Sequence, residues 1–366
     1  MRALIISNPN STSITDGLVR CVVRSLRAVP GLRFHTEYTS HPGHATELTR
    51  GMTAKDVDYI VCLGGDGTVN EVVNGLMDDA TPTAEGIPPH QLPAIVIIPT
   101  GSANVLAGAL DIPRNPFDAA RLTTRLLRKG EMRTISAGYA KFGESARWFV
   151  VNAGAGLDAD VIASVEAVRS DGKSAKPIRY VRTILPMWNQ IRLDPPQIRA
   201  EVDGVEMGTN LPIAVVSNSN PWTFLGDLPV VTNPNTDMGG GLGFFGVRSL
   251  AGLGGIVIAA NLGGALLPLR RPLHVQEREI REDNAAEVVL ESARPLKFQL
   301  DGEYIDEVSA IRIAVSSNAI KVVAPVDKRH PTGFVKSVTD KPISVRLTAM
   351  LQSRLIARLR LAFSRD

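Results

Sequence analysis

The chain has 366 residues, 44% of them hydrophobic and 21% charged, with a net charge of +3. That length supports two domains with sizeable cores, the composition is that of a globular rather than a disordered chain, and so small a charge does not point to nucleic acid. The two cysteines, Cys21 and Cys62, lie in apolar runs, which suits core positions in a reducing cytoplasm better than a disulfide or metal pair.

The N-terminus, MRALIISNPN, enters a strand pattern at once and lacks the length and cleavage site of a signal peptide. Strand patterns at Arg2 to Ser7, Leu32 to Thr39, Val57 to Leu63 and Ala94 to Ile98 alternate with helical ones. The helices are predicted at Asp16 to Val29, Ala45 to Gly51, Val69 to Met77, Val105 to Leu110 and Pro116 to Arg128, with Pro- and Gly-rich Asp79 to Leu92 as a loop. Repeated β-α units predict a doubly wound α/β domain with a parallel sheet. From about Arg133 the pattern changes to short alternating runs at 148–152, 198–202, 211–217, 242–247, 286–290 and 296–300, interrupted by helical runs at 158–169 and 178–192. These predict a β-rich, antiparallel, sandwich-like second domain. The expected division is 1–132 with 311–326 for the first domain, 133–310 for the second, and 327–366 as a tail.

Two segments bear on membranes. Ser249 to Leu269 carries no charge, but it is rich in Gly and contains Asn261 and Pro268. A buried or interfacial helix is therefore favoured over a span. The tail is basic, and from Val345 to Phe363 its apolar residues recur at helical spacing among arginines. It suits an anionic membrane surface as well as packing on its own domain or on a second copy in a homodimer.

The chemistry concentrates at strand ends. The run 57–63 breaks into Gly64-Gly65-Asp66-Gly67-Thr68 and then a helix through Val69, Asn70 and Glu71. Glycines admit close approach of backbone amides to a phosphate, and the helix start offers unpaired N–H groups. Asp66 in that turn implies a Mg²⁺ between its carboxylate and the phosphates. The string is neither a Walker A loop nor a dinucleotide fingerprint. Asn8-Pro9-Asn10-Ser11 ends the first strand, and Pro99-Thr100-Gly101-Ser102-Ala103-Asn104 ends another, so three strand ends converge on one crevice. Ser102 suits either a phosphate or a helix cap. His41 and His44 lack further nearby ligands and read as solvated. Asp301-Gly302-Glu303 reads as a hairpin turn, and Asn152 to Asp158 joins a strand to a helix in the second domain, where it is expected to form the floor of a site, with a simple glycine turn as the competing account.

GGDGTxNEVxNG, NPNS, the turn from Thr39 to Ala45 and PTGSAN resemble the motifs of the diacylglycerol kinase catalytic-domain family, over roughly 2–323 of the chain. The resemblance implies a two-domain lipid kinase using ATP and Mg²⁺. ATP would lie along Asn8, Pro9, Asn10, Ser11, Thr39, Gly64 to Glu71, Gly101, Ser102 and Asn104. Glu303 of the DGE run would be the general base, with Asp118 as a loosely aligned assisting acid. The implied acceptor is diacylglycerol or another lipid alcohol met at the inner face of the membrane. The chain departs from the family at Thr12 and Ser13, where a glycine and a basic residue are usual, and at 237–242, where glycines stand in place of a metal-binding Asp pair. An absent or altered structural metal site is expected there. The alternatives are a soluble NAD-kinase-like enzyme and a non-catalytic lipid carrier that keeps the fold.

Overall fold

The computed structural model describes residues 1–11, 13–77, 88–157, 159–160, 193–225, 228–251, 258 and 275–326. Strands β1 (Arg2–Ser7), β2 (Arg33–Tyr38), β3 (Tyr59–Gly64) and β4 (Ala94–Pro99) pair in parallel in the order β4-β3-β1-β2. β3 and β4 are buried along their whole length, which is why their sequences are almost continuously apolar instead of alternating.

The helices cover both faces. α1 (Asp16–Arg27) buries Leu18, Val22 and Leu26 on one stripe, and its start is capped by Thr15, whose Oγ1 accepts the Leu18 amide at 3.1 Å. α2 (His44–Thr49) and α3 (Asp66–Leu76) form a second pair, in which Thr46 donates to the Glu71 carbonyl at 2.9 Å. α4 (Val105–Ala109) is a single turn, and α5 (Pro116–Lys129) lies beside α1, where Thr124 donates to the Ser25 carbonyl at 3.1 Å. The chain leaves β1 for β2 on one side and returns past it to β3 on the other. Right-handed crossovers then put α1 and α2–α3 on opposite faces, and the crevice opens at the carboxyl ends of β1 and β3.

The second part is antiparallel. β5 (Arg133–Phe142), β6 (Ser145–Phe149), β7 (Asn152–Gly156), β8 (Ile198–Val202), β9 (Val205–Leu211) and β10 (Ile213–Ser217) are followed by a small hairpin of β11 (Thr223–Leu225) and β12 (Leu228–Val230). β13 (Leu242–Val247), the short α6 (Val275–Arg278), β14 (Glu279–Ala285) and β15 (Glu287–Leu300) complete it. These strands enclose their own core, in which Phe149, Phe244 and Phe298 are fully buried. The last strand, β16 (Glu303–Val322), pairs antiparallel with β15 and β5 and then enters the parallel sheet. There Val322 aligns with Ile95, and the Val323 amide donates to the Ile95 carbonyl at 2.8 Å. One continuous sheet therefore joins an α/β part to a β-rich part.

Several local expectations change. The motif helix starts at Asp66, three residues before Val69, so the glycine motif itself forms its first turn. Asn152–Gly156 is a strand rather than a turn, and it pairs with β10 on one side and β15 on the other. The runs at 286–290 and 296–300 are one strand, with an irregularity after Glu291. Most of the helical run expected at 158–169, all of that at 178–192, most of 249–269 and the tail 327–366 lie outside the described residues. Among the described residues, no helix is long and apolar enough to cross a membrane.

Candidate active site

Three turns are stitched together at the crevice. In the first, Asn8 Oδ1 accepts the Asn10 amide at 2.9 Å, and the Asn8 amide donates to the Leu63 carbonyl. Ser11 Oγ meets Thr100 Oγ1 at 2.7 Å, and the Ser13 amide donates to the Thr100 carbonyl at 2.9 Å, so the first turn is tied directly to the PTGS turn. Pro9 follows Asn8 at the open end of β1, and buried Thr39 hangs beside it through its amide on the Ser7 carbonyl.

The glycine turns touch backbone to backbone. A Cβ on Gly101 would lie 2.6 Å from Gly65 Cα, and one on Gly64 would lie 2.3 Å from Thr68 Oγ1. Neither position has room for a side chain. Asn104 takes a left-handed conformation and braces the turn: its Oδ1 accepts the Gly101 amide at 3.0 Å and its Nδ2 donates to the Gly101 carbonyl at 2.7 Å. Gly67 and Ser102 remain exposed at the surface of these turns.

Asp66 does a job that its motif does not advertise. Its carboxylate accepts the amides of Val105 and Leu106, at 2.9 and 3.1 Å, so it caps α4 in place of Ser102 and locks the two glycine turns together. Burial raises its pKa, while those amides and the Arg114 guanidinium pull it back down. Its two oxygens offer about four acceptor directions, one more than the three amides they accept, those of Val105, Leu106 and Asp66 itself. A Mg²⁺ that retains several waters and sits on substrate phosphates asks for only one or two carboxylates, so Asp66 fits as a partial ligand.

The DGE turn sits where the two parts meet. Asp301 adopts φ 49°, and its carboxylate accepts the amides of Val150, Val151 and Asn152 at 2.8 to 3.0 Å and Asn70 Nδ2 at 2.8 Å. Burial nonetheless pushes its pKa up to about 6 against these donors. Glu303 follows at the start of β16 and is half-exposed, with its Oε2 2.7 Å from Arg147 Nη2. It lines a cleft of about 320 Å³ with Thr46, Glu71, Asn74 and Arg147, between the α2–α3 pair and the β5–β6 hairpin.

This geometry revises several expected roles. Val69, Asn70 and Asn104 are buried, and the polar atoms of the two asparagines are committed to protein partners. Through those partners they shape the turns. Glu71 lines the cleft while its Oε2 caps α2 at the Ala45 amide. Asp118 is exposed in the first turn of α5, 3.3 Å from Arg121, and does not line the cleft with Glu303. A helix N-terminal carboxylate accounts for it. His41 and His44 do have a further carboxylate nearby, since they cluster with Glu47, and the Ser40 amide donates to His44 Nδ1 at 3.1 Å. At 237–242, Asp237 Oδ1 accepts the Gly239 amide at 3.2 Å. Cys62 is buried and its thiol is pushed up to about 12, as suits a core residue. Sequence reading missed Arg147, which belongs to no motif. Its only signal is a cation inside an otherwise apolar strand ending, ARWFVV.

The profile of the diacylglycerol kinase catalytic domain matches residues 2–140. Diacylglycerol kinase of Bacillus subtilis is 26% identical over 308 residues, spanning 83% of this chain and 90% of that protein. Sphingosine kinase 1 of Arabidopsis thaliana is 29% identical over 165 residues, 44% of this chain and 33% of that protein. A solved diacylglycerol kinase structure from Bacillus anthracis shares the fold with a TM-score of 0.63 at 20% identity, covering 89% of this chain and 97% of that one. The part of the chain that the family model matches, residues 2–140, holds the parallel sheet and both glycine turns. These relatives are named as diacylglycerol and sphingosine kinases.

Proposed function

We propose that the protein transfers the γ-phosphate of ATP to the hydroxyl of a membrane lipid, with diacylglycerol as the first acceptor to test and phosphatidic acid as its product. The observation that carries this reading is the meeting of the two glycine turns, tied through Asp66, with the DGE turn, tied to α3 through Asn70. Triphosphate recognition falls to the turn from Gly65 to Thr68, where Gly67 is exposed, with Gly101 and Ser102 opposite and Asn8 to Ser11 and Thr39 alongside. Mg²⁺ carried by the nucleotide shares Asp66. Glu303 takes the proton of the attacking hydroxyl as the O–P bond forms and ADP leaves. In this reading 1–132 with 311–326 holds the nucleotide, 133–310 the lipid, and the basic tail 327–366 touches the inner face of the membrane.

The test is transfer of labelled γ-phosphate from ATP to a lipid panel in mixed micelles, wild type against Glu303→Gln. Labelled lipid that drops ~10²–10⁴-fold in the variant supports the kinase and the base together. No labelled lipid from any acceptor refutes the kinase reading in favour of a lipid carrier, and equal labelling by both proteins removes Glu303 from its role.

A further inference from the structure

Glu303 is half-exposed and stands at the start of a strand, so its own backbone does not aim its carboxylate. Its aim comes from Arg147. The guanidinium Nη2 donates to Glu303 Oε2 at 2.7 Å and to Asn70 Oδ1 at 2.8 Å, and Nε donates to the same Asn70 oxygen at 3.2 Å. Asn70 cannot turn away. Its Nδ2 is held by the Trp148 carbonyl at 2.9 Å and by buried Asp301 at 2.8 Å, so its oxygen must face Arg147. Asn74 Nδ2 donates to that oxygen as well, at 3.0 Å.

We propose that Arg147 is a positioning residue that points the Glu303 carboxylate into the cleft, and that Asn70, anchored on Asp301, fixes the guanidinium in turn. The inference rests on the reading of Glu303 as the base. It explains why a motif asparagine is buried, and it joins the two ends of the DGE run through a residue outside every motif. A planar fork is what this task needs, because one donor group must serve an amide oxygen and a carboxylate at fixed angles. Lysine, a single charged point, does not reproduce that fork.

The test is a double-mutant cycle on lipid phosphorylation with Arg147→Met, Glu303→Gln and both, each variant first confirmed as folded by its thermal melt. Arg147→Met is expected to lower kcat about 100-fold with the KM for ATP within about twofold, and Arg147→Lys to lose less. The double variant should be no slower than Glu303→Gln alone. Guanidinium ion added to Arg147→Ala should restore part of the lost rate. A double variant slowed by the product of the single effects overturns the proposal, since Arg147 would then act on something other than Glu303. A Glu303→Gln enzyme with full rate refutes the base reading itself, and that outcome is distinguishable because the single variant already shows it. A readout without turnover is the Arg147 Nε–H resonance in ¹⁵N spectra. Slow exchange in the wild type, lost in Asn70→Ala, supports the clamp; an exchange rate unchanged by Asn70→Ala overturns it.

Discussion

Gly67 is the position at which structure and proposed function part company most usefully. The other glycines of the crevice are explained by crowding, but a Cβ at Gly67 would meet nothing within 4 Å. It lies in the first turn of α3 with ordinary helical geometry, so alanine there should stabilise the helix by roughly 0.5–1 kcal/mol. With no crowding and no special backbone angle to account for it, the glycine here suits close approach of a group from outside. If the Gly67 amide meets a phosphate, a methyl beside it displaces one charge-assisted hydrogen bond, worth about 1.5–3 kcal/mol, or about 10- to 150-fold in affinity. Gly67→Ala is therefore expected to unfold at higher urea and yet to bind ATP more weakly, by equilibrium dialysis in Mg²⁺. Gly101→Ala is the contrast. Its Cβ would sit 2.6 Å from Gly65 Cα, so the two glycine turns must separate, at a cost of about 1–3 kcal/mol in stability as well as a loss of binding. A Gly67→Ala protein that binds ATP as the wild type does would refute the assignment of phosphates to this turn.

Two further predictions concern the frame around the site. At Gly75 a Cβ would lie 2.1 Å from Thr49 Oγ1 and 2.4 Å from the Thr46 carbonyl oxygen, so Gly75→Ala should push α2 from α3 and cost about 1–3 kcal/mol. A urea midpoint at or above that of the wild type would show that the two helices do not meet this closely. For Asp301, the folded protein holds a proton up to about pH 6, whereas the unfolded chain releases it near 3.8. Over that window the folded state binds more protons, so this group's contribution to stability falls as pH rises from about 4 to 6 and is constant above, a span of ~3 kcal/mol at most. Asp301→Asn should remove that slope when unfolding is followed across the window, and a variant curve parallel to the wild type would contradict the assignment.

Much of the frame was legible because its causes are local. Continuous apolar runs gave β3 and β4, an apolar stripe and Thr15 gave α1, and glycines at strand ends gave the crevice. The motif strings could be matched residue by residue, because strand, turn and helix follow one another within about ten positions. Boundaries were less legible. The helix after β3 begins three residues early because the glycine motif is itself helical, and Asn152–Gly156, rich in glycine like a turn, is a strand because it pairs with β10 and β15.

What the sequence by itself determined was the alternation of elements, the family motifs and the residue types gathered at the strand ends. What only the tertiary structure decided was how each polar group is used. Asp66 turns to amides 39 and 40 positions away, and Asn70 meets Asp301 across 231. Arg147 reaches Glu303 across 156. Spacing along the chain carries no record of such pairs. They exist because β16 carries the DGE turn back against α3 when the last strand joins the parallel sheet, and that closure belongs to the packed molecule as a whole.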